Sequence, residues 1–150
     1  MRSELHKELQ EIAKAYAISK TYWICGDEVP MPFGVCDVWG MSRSKQCETM
    51  AIEVKVSRED FRSDSQKLRE SLTYPLGNYQ YIFCPENLIF PHEIHEKWGL
   101  IWWNGKKVVN KKRAPLLEMT AQEKLDALLY FLNNGTNVHR PKLVDKVLGE

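Results

Sequence analysis

The alternation of apolar and polar residues divides the chain into segments with two different periods. Apolar residues that recur every three or four positions predict amphipathic helices, whereas strict alternation predicts half-buried strands. Helical periods are found at 3–18, at 58–72 and after Thr120, and a short terminal helix is predicted at 141–148. Strand periods are found near 22–25, 33–40, 49–56, 78–84 and 99–103. The expected fold is α/β, with a mixed central sheet flanked by helices.

Polar residues mark the starts of two of these helices. Ser3 can cap the first helix, and Thr120 with Glu123 forms a full capping box at the start of the last long one. The apolar stripes that should face the sheet are Leu5, Leu9, Ile12 and Tyr16 on the first helix, and Leu125, Leu128, Leu129 and Leu132 on the last.

Turn signals lie between the predicted strands. Asn104-Gly105 predicts a hairpin that joins 99–103 to 106–109, because this dipeptide suits a tight two-residue turn. Residues 26–32 contain two prolines, which cannot donate ladder hydrogen bonds. We therefore expect a turn at 26–32 rather than a strand.

One predicted strand, 49–56, carries two charges among apolar residues. Alternation places Glu53 and Lys55 on the face opposite Ile52 and Val54. Burying such charges is unfavourable unless they are paired or used. Asp37 lies sixteen residues before Glu53 on the preceding strand, so a hairpin would bring the two carboxylates together. Two neighbouring carboxylates form a hard-oxygen site suited to Mg²⁺ or Mn²⁺.

The same residues also fit an interpretation without chemistry. An Asp and a Glu-x-Lys on adjacent strands can form cross-strand ion pairs on a solvated sheet face. Glu8 lies against the apolar stripe of the first helix, where it could face solvent or reach a metal site on the sheet. The residues alone leave both alternatives open.

Composition narrows the class of protein. With 150 residues, 43% of them hydrophobic and 27% charged, the chain is expected to form one globular domain with a sizeable core. The formal net charge of +1 gives no global attraction to nucleic acid, so any such contact would use local patches. The candidate basic residues are Arg62 and Lys67 on the predicted second helix, and Lys111 and Lys112 after the hairpin.

Cysteine usage and hydropathy predict the cellular setting. The four cysteines are scattered without a C-x-x-C spacing, and three of them lie in or beside predicted strands, which indicates small buried residues in a reducing compartment. No apolar stretch has the length of a signal sequence or a membrane span. We therefore expect a cytoplasmic protein without a membrane partner.

The order of elements and charges resembles the PD-(D/E)xK nuclease superfamily, whose fold is also called restriction-endonuclease-like. Its core motif is an Asp followed, after a variable gap, by Glu-x-Lys on the next strand, and here these are Asp37, Glu53 and Lys55. A more specific similarity is to the MmcB-like family, a DNA-repair-associated branch. It covers roughly residues 33–103 and is carried by 52–67, by Tyr79, Tyr81, Phe83 and Pro85, and by Gly99-Leu-Ile101.

This resemblance implies metal-dependent hydrolysis of phosphodiester bonds, most simply in DNA and in its repair or processing. Mg²⁺ or Mn²⁺ would be bound by Asp37, Glu53 and the backbone carbonyl of Val54, with Glu8 as a further carboxylate. Lys55 would add positive charge where negative charge develops on the phosphate.

The resemblance also has a departure and an alternative. The family usually has an arginine just before the aspartate, where this chain has Val35 and Cys36, so one phosphate contact is expected to be absent. The alternative function is a nucleic-acid-binding or repair-scaffolding protein that keeps the nuclease fold without the chemistry. A homodimer is compatible with either function.

Overall fold

The computed structural model describes residues 3–31, 34–43, 46–63 and 74–133. Within these ranges the helices are α1 (Glu4–Ser19), α2 (Arg58–Ser63) and α3 (Ala121–Asn133). The strands are β1 (Ile24–Met31), β2 (Gly34–Met41), β3 (Thr49–Val54), β4 (Tyr79–Pro85), β5 (Gly99–Trp103) and β6 (Val108–Lys112), and a short 3-10 turn covers Pro91–Glu93. The predicted remainder of the second helix and the predicted helix 141–148 lie outside the described residues.

The strands form a single mixed sheet whose spatial order is the chain order, β1 to β6. The pairs β1–β2, β2–β3 and β5–β6 are antiparallel, whereas β3–β4 and β4–β5 are parallel. α1 packs across β1 to β4, and α3 contacts β1. A separate apolar cluster covers each side of the sheet. The predicted α/β fold with a mixed sheet flanked by helices is therefore confirmed.

The first strand lies elsewhere than predicted. The sequence pattern predicts a strand at 22–25 and a turn at 26–32, but β1 runs from Ile24 to Met31 and includes Pro30. β1 is an edge strand of the sheet, so it needs ladder hydrogen bonds on one side only. Proline is tolerated on an edge strand because its missing N–H can face away from the neighbour.

The predicted stripe of α1 is confirmed for Leu9, which is buried, and for Ile12 and Tyr16, which pack against the core, but it is wrong for Leu5. On α1 the buried residues are His6, Leu9, Gln10, Ala13 and Ala17, while Leu5 is 44% exposed. Alanines at the contact let the helix lie close to the sheet, which a count of large apolar residues does not anticipate.

On α3 the inward face consists of a small residue flanked by larger ones. Ala127 is buried, and Leu128 and Phe131 pack against the core. The predicted stripe was wrong for three of its four leucines, which are exposed: Leu125, Leu129 and Leu132.

The predicted caps and hairpin are confirmed. Ser3 Oγ accepts a hydrogen bond from the backbone of His6 at 3.1 Å. Thr120 Oγ1 accepts from the N–H of Glu123 at 3.1 Å, and the Glu123 carboxylate accepts from the N–H of Thr120 at 3.0 Å. β5 and β6 form the predicted hairpin, but its turn spans 104–107 rather than two residues, so β6 begins at Val108 rather than at 106.

Candidate active site

The ladder between β2 and β3 ends just before the candidate carboxylates. Its last backbone pair is Val38 with Ile52. Beyond it, Oδ2 of Asp37 accepts a 2.8 Å hydrogen bond from the backbone N–H of Val54. A side chain thus replaces the main-chain partner, and the carboxylate of Asp37 lies beside the peptide that joins Glu53 to Val54. The predicted proximity of the two acidic residues is therefore present.

Asp37, Glu53 and Lys55 are all buried, with relative exposures of 2%, 1% and 2%. Ion pairs on a solvated sheet face would be exposed, so this burial does not fit the alternative of cross-strand pairs on a solvated face. Buried charges are costly even when paired, and removing one partner is strongly destabilising. Burying these three charged side chains at the end of a sheet therefore lowers the stability of the fold.

Lys55 is fixed by both its backbone and its side chain. Its N–H donates to the carbonyl of Phe83 on β4 at 2.9 Å. Its Nζ lies 3.9 Å from Oδ1 of Asp60, whose other oxygen accepts from the backbone of Val56 at 3.4 Å. Ser57 Oγ in turn accepts from the N–H of Asp60 at 3.0 Å. The first turn of α2 therefore holds the lysine ammonium in place.

α1 contributes two residues that the sequence pattern did not single out. His6 Nε2 lies 3.6 Å from Oδ2 of Asp37, and Gln10 Nε2 donates to the backbone carbonyl of Asp37 at 3.1 Å. Both side chains are buried, and their i, i+4 spacing places them on one helix face. Glu8 lies between them in sequence and is exposed, so the structure does not bring it to the site.

A signal for these residues exists in the sequence. Positions 6, 10, 13 and 17 recur at helical spacing, and the last two are alanines. A stripe that combines small residues with polar ones indicates close approach to a polar feature of the sheet. Apolar periodicity overlooks such a stripe because it counts polar residues as outward-facing.

The carbonyl of Val54 faces the side of β3 on which Asp37 lies. The N–H of Val54 is bound by Asp37, whereas the N–H of Lys55 is bound by β4. In an extended strand the N–H and C=O of one residue point to the same side. This orientation agrees with the predicted use of the Val54 carbonyl as a ligand.

β1 is also irregular opposite Asp37. The flanking pairs are Asp27 with Val38 and Val29 with Cys36, and Glu28 between them has a φ of 50°. A positive φ is uncommon for a residue other than glycine. Backbone strain of this kind concentrates at functional sites, and here it lies next to the central aspartate.

The donor chemistry of the site fits a hard divalent cation. No group of three or more His, Cys, Asp or Glu side chains within the described ranges is arranged to hold a metal ion. Mg²⁺, however, is usually bound through one or two carboxylates and keeps waters and substrate phosphates as its other ligands. Asp37 and Glu53, with the Val54 carbonyl, match that requirement.

The predicted phosphate-binding residues have different environments. Arg62 is exposed on α2, two residues after Asp60, and so lies close to the site. Lys67 lies outside the described residues. Lys111 places its ammonium 4.7 Å from the centroid of the Trp102 ring, a cation–π geometry.

Lys112 has a structural role. Its ammonium donates to the carbonyls of Ile94 and His95, each at 2.9 Å. Two of its three N–H donors are therefore used inside the protein, which leaves one for a phosphate.

A second cation braces the segment before β5. Arg58, at the start of α2, is hydrogen-bonded to both carboxylate oxygens of Glu93 and donates to the carbonyl of Leu88 at 3.0 Å. Hydrogen bonds from Arg58, and then from the backbone of Phe90, lower the pKa of Glu93 to about 2. The pair ties α2 to the 3-10 turn.

None of the helices in the described part of the chain combines the length and apolar character needed to cross a bilayer.

Comparison with known proteins supports the α/β fold but gives no information on the reaction that the site performs. No family model and no curated protein matches the sequence. Among solved structures, a protein of unknown function from Silicibacter pomeroyi has a similar fold, with a TM-score of 0.71 and 17% sequence identity. The match covers 99% of this chain and 94% of that chain. At this identity the similarity shows a shared α/β architecture alone.

Proposed function

We propose that this protein hydrolyses phosphodiester bonds in DNA, using Mg²⁺ or Mn²⁺ held by Asp37 and Glu53. The observation that carries the proposal is the burial of Asp37, Glu53 and Lys55 together where β2 and β3 separate. The resemblance of these residues to the PD-(D/E)xK motif supplies the reaction class.

The carboxylates are positioned before any ligand arrives. Val54 fixes one oxygen of Asp37, and Gln10 fixes its backbone, so the side chain has little freedom. When bound, a divalent ion would polarise the phosphoryl oxygen and lower the pKa of a bound water. His6 packs against Asp37 and restricts its carboxylate from the helix side.

Lys55 supplies the positive charge of the site. Its ammonium is held by Asp60 within a mostly dry environment, where electrostatic interactions are stronger than in water. A fixed cation stabilises negative charge that develops on the phosphate during the reaction, without reorganising at that moment. Lys55 is therefore the residue proposed to stabilise the transition state.

The deciding experiment is a cleavage assay on single-stranded, double-stranded and flapped DNA. We expect cleavage with Mg²⁺ or Mn²⁺, none with chelator, and none for Asp37→Asn. The matched control is Glu8→Gln, which removes an exposed carboxylate of α1 and should cleave like wild type. DNA binding without cleavage of any form would favour the alternative of an inactive binding protein, and neither binding nor cleavage would refute both.

A further inference from the structure

A cavity of about 360 Å³ opens between α2 and the segment that precedes β5. Its volume is within the range of small-molecule sites. The apolar side chains in its wall are Phe61, Ile82, Ile94 and Trp98, and its polar ones are Arg62, His95 and Glu93, whose carboxylate is paired with Arg58.

The cavity borders the candidate active site on two sides. Ile82 is the partner of Glu53 in the parallel β3–β4 ladder. Paired residues on neighbouring strands lie about 5 Å apart and point to the same face. Phe61 and Arg62 directly follow Asp60, which contacts Lys55. A group seated in the cavity would therefore lie next to both Glu53 and Lys55.

The wall of the cavity is held in place by two cations. Arg58 ties α2 to Glu93, and Lys112 binds the carbonyls of Ile94 and His95. Such bracing removes the need to order the wall when a ligand binds, which favours affinity. The cavity is thus a prepared site rather than a gap between loosely packed segments.

The chemistry of the lining selects a flat apolar group attached to an anion. Phe61 offers an aromatic ring, and successive bases of single-stranded nucleic acid stack on such rings. Arg62, the next residue along α2, is exposed and also lines the cavity, and a guanidinium suits a neighbouring phosphate. Sugars and phosphates would require more polar partners than this wall supplies.

We infer that the cavity receives one unpaired nucleobase of the DNA strand, next to the phosphate that lies at Asp37, Glu53 and Lys55. This inference rests on the proposed function, because it takes a nucleic-acid strand as the partner. A base in a duplex is stacked and paired, and extruding it costs a few kcal/mol. The preferred substrate class is therefore single-stranded DNA, or DNA with an unpaired nucleotide at the cleavage point.

The test is a binding measurement in chelator, so that it does not depend on catalysis. Fluorescence anisotropy at one fixed salt concentration would compare a thymidine 12-mer, an abasic tetrahydrofuran 12-mer of equal charge and a 12-base-pair duplex. We expect the thymidine 12-mer to bind about tenfold more tightly than the abasic one, as one stacked base would give. Equal dissociation constants for the two single strands would overturn the inference.

Variants of Phe61 locate the effect in the cavity. Phe61→Leu keeps an apolar side chain and should reduce the ratio of the two dissociation constants to near one, whereas Phe61→Trp should retain it. Leu116→Ala, an exposed residue outside the cavity, is the control and should leave the ratio unchanged. A ratio that survives Phe61→Leu would overturn the assignment.

A measurement on the wild type covers the case in which Phe61→Leu does not fold. 2-Aminopurine placed at successive positions of the 12-mer should be quenched at one or more of them by stacking on Phe61, and no quenching at any position would overturn the inference.

Cleavage of DNA without base-dependent binding would overturn this inference alone. Base-dependent binding without cleavage would refute the hydrolase and retain the base site.

Discussion

Lys55 is as deeply buried as the apolar core, and its ammonium lies 3.9 Å from the carboxylate of Asp60, which is one-third exposed. Asp60 therefore links this buried ammonium to the partly exposed start of α2. That arrangement suits a group whose charge has to act on a substrate.

The first prediction concerns this lysine. Lys55→Met keeps the length and apolar stem, so the protein should fold and bind metal but cleave roughly 10²–10³ times more slowly, the usual cost of losing one electrostatic contact in the transition state. Single-turnover rates and thermal melts measure the two effects separately. A variant that melts much earlier yet cleaves at the wild-type rate per folded molecule would show a structural role.

The second prediction concerns Asp37. Calorimetric titration of Mn²⁺ should show binding to wild type and none to Asp37→Ala, because the aspartate is proposed as a direct ligand. Glu8→Ala removes an exposed carboxylate of α1 and should bind like wild type. Equal binding by wild type and Asp37→Ala would exclude Asp37 as a ligand.

The third prediction concerns His6, which contacts Asp37 from α1. Partners that orient a ligand typically change metal affinity or activity by 10–100-fold when they are removed. We expect His6→Ala to weaken Mn²⁺ affinity by roughly tenfold or more, and His6→Gln to restore part of the loss. A change in melting temperature alone, with unaltered Mn²⁺ affinity, would limit His6 to packing.

At the level of elements, the start of α2 links the candidate site to the cavity. Within one turn, Ser57 caps the helix, Asp60 contacts Lys55 and Phe61 lines the cavity. Arg58 of the same turn binds Glu93 on the opposite wall. Displacement of this turn would therefore disturb the lysine and the proposed base site together.

The fourth prediction tests that link through pH. The pKa of Glu93 is lowered to about 2 from an ordinary value of 4.5, so its contribution to stability is complete above pH 4.5 and lost as the pH falls toward 2. The melting temperature of wild type should exceed that of Glu93→Gln at pH 6, and the difference should shrink between pH 4.5 and pH 3. Glu96→Gln, an exposed neighbour, is the control, and a constant difference across this range would contradict the assignment.

For the molecule as a whole, local sequence patterns predicted the part of the site that is formed by residues close together in the chain. Asp37 and Glu53 are on strands joined by one hairpin, so alternation and a short connection were sufficient to place them together. The caps at Ser3 and Thr120 were predictable for the same reason. The side chains of His6 and Gln10 face the sheet because of the position at which α1 crosses it. Periodicity within the helix does not determine that position.

Two further features required the assembled fold. Pro30 is compatible with a strand only because β1 lies at the edge, and edge position is a property of the whole sheet. The cavity draws its wall from α2, β4 and the segment before β5. No local sequence pattern connects Phe61 to Ile94, so the proposed base site was visible only in three dimensions.

The strands lie in the sheet in the same order as in the sequence, and this order affects how the molecule folds. Among the described strands, each one pairs only with those before and after it in sequence, so none of these pairings has to wait for a distant segment. The Asp37–Val54 hydrogen bond closes a loop of 17 positions. Folding rates rise as contacts become more local, and chains emerge from the ribosome with the N-terminus first. The acidic half of the site can therefore form while the residues after β4 are still being synthesised.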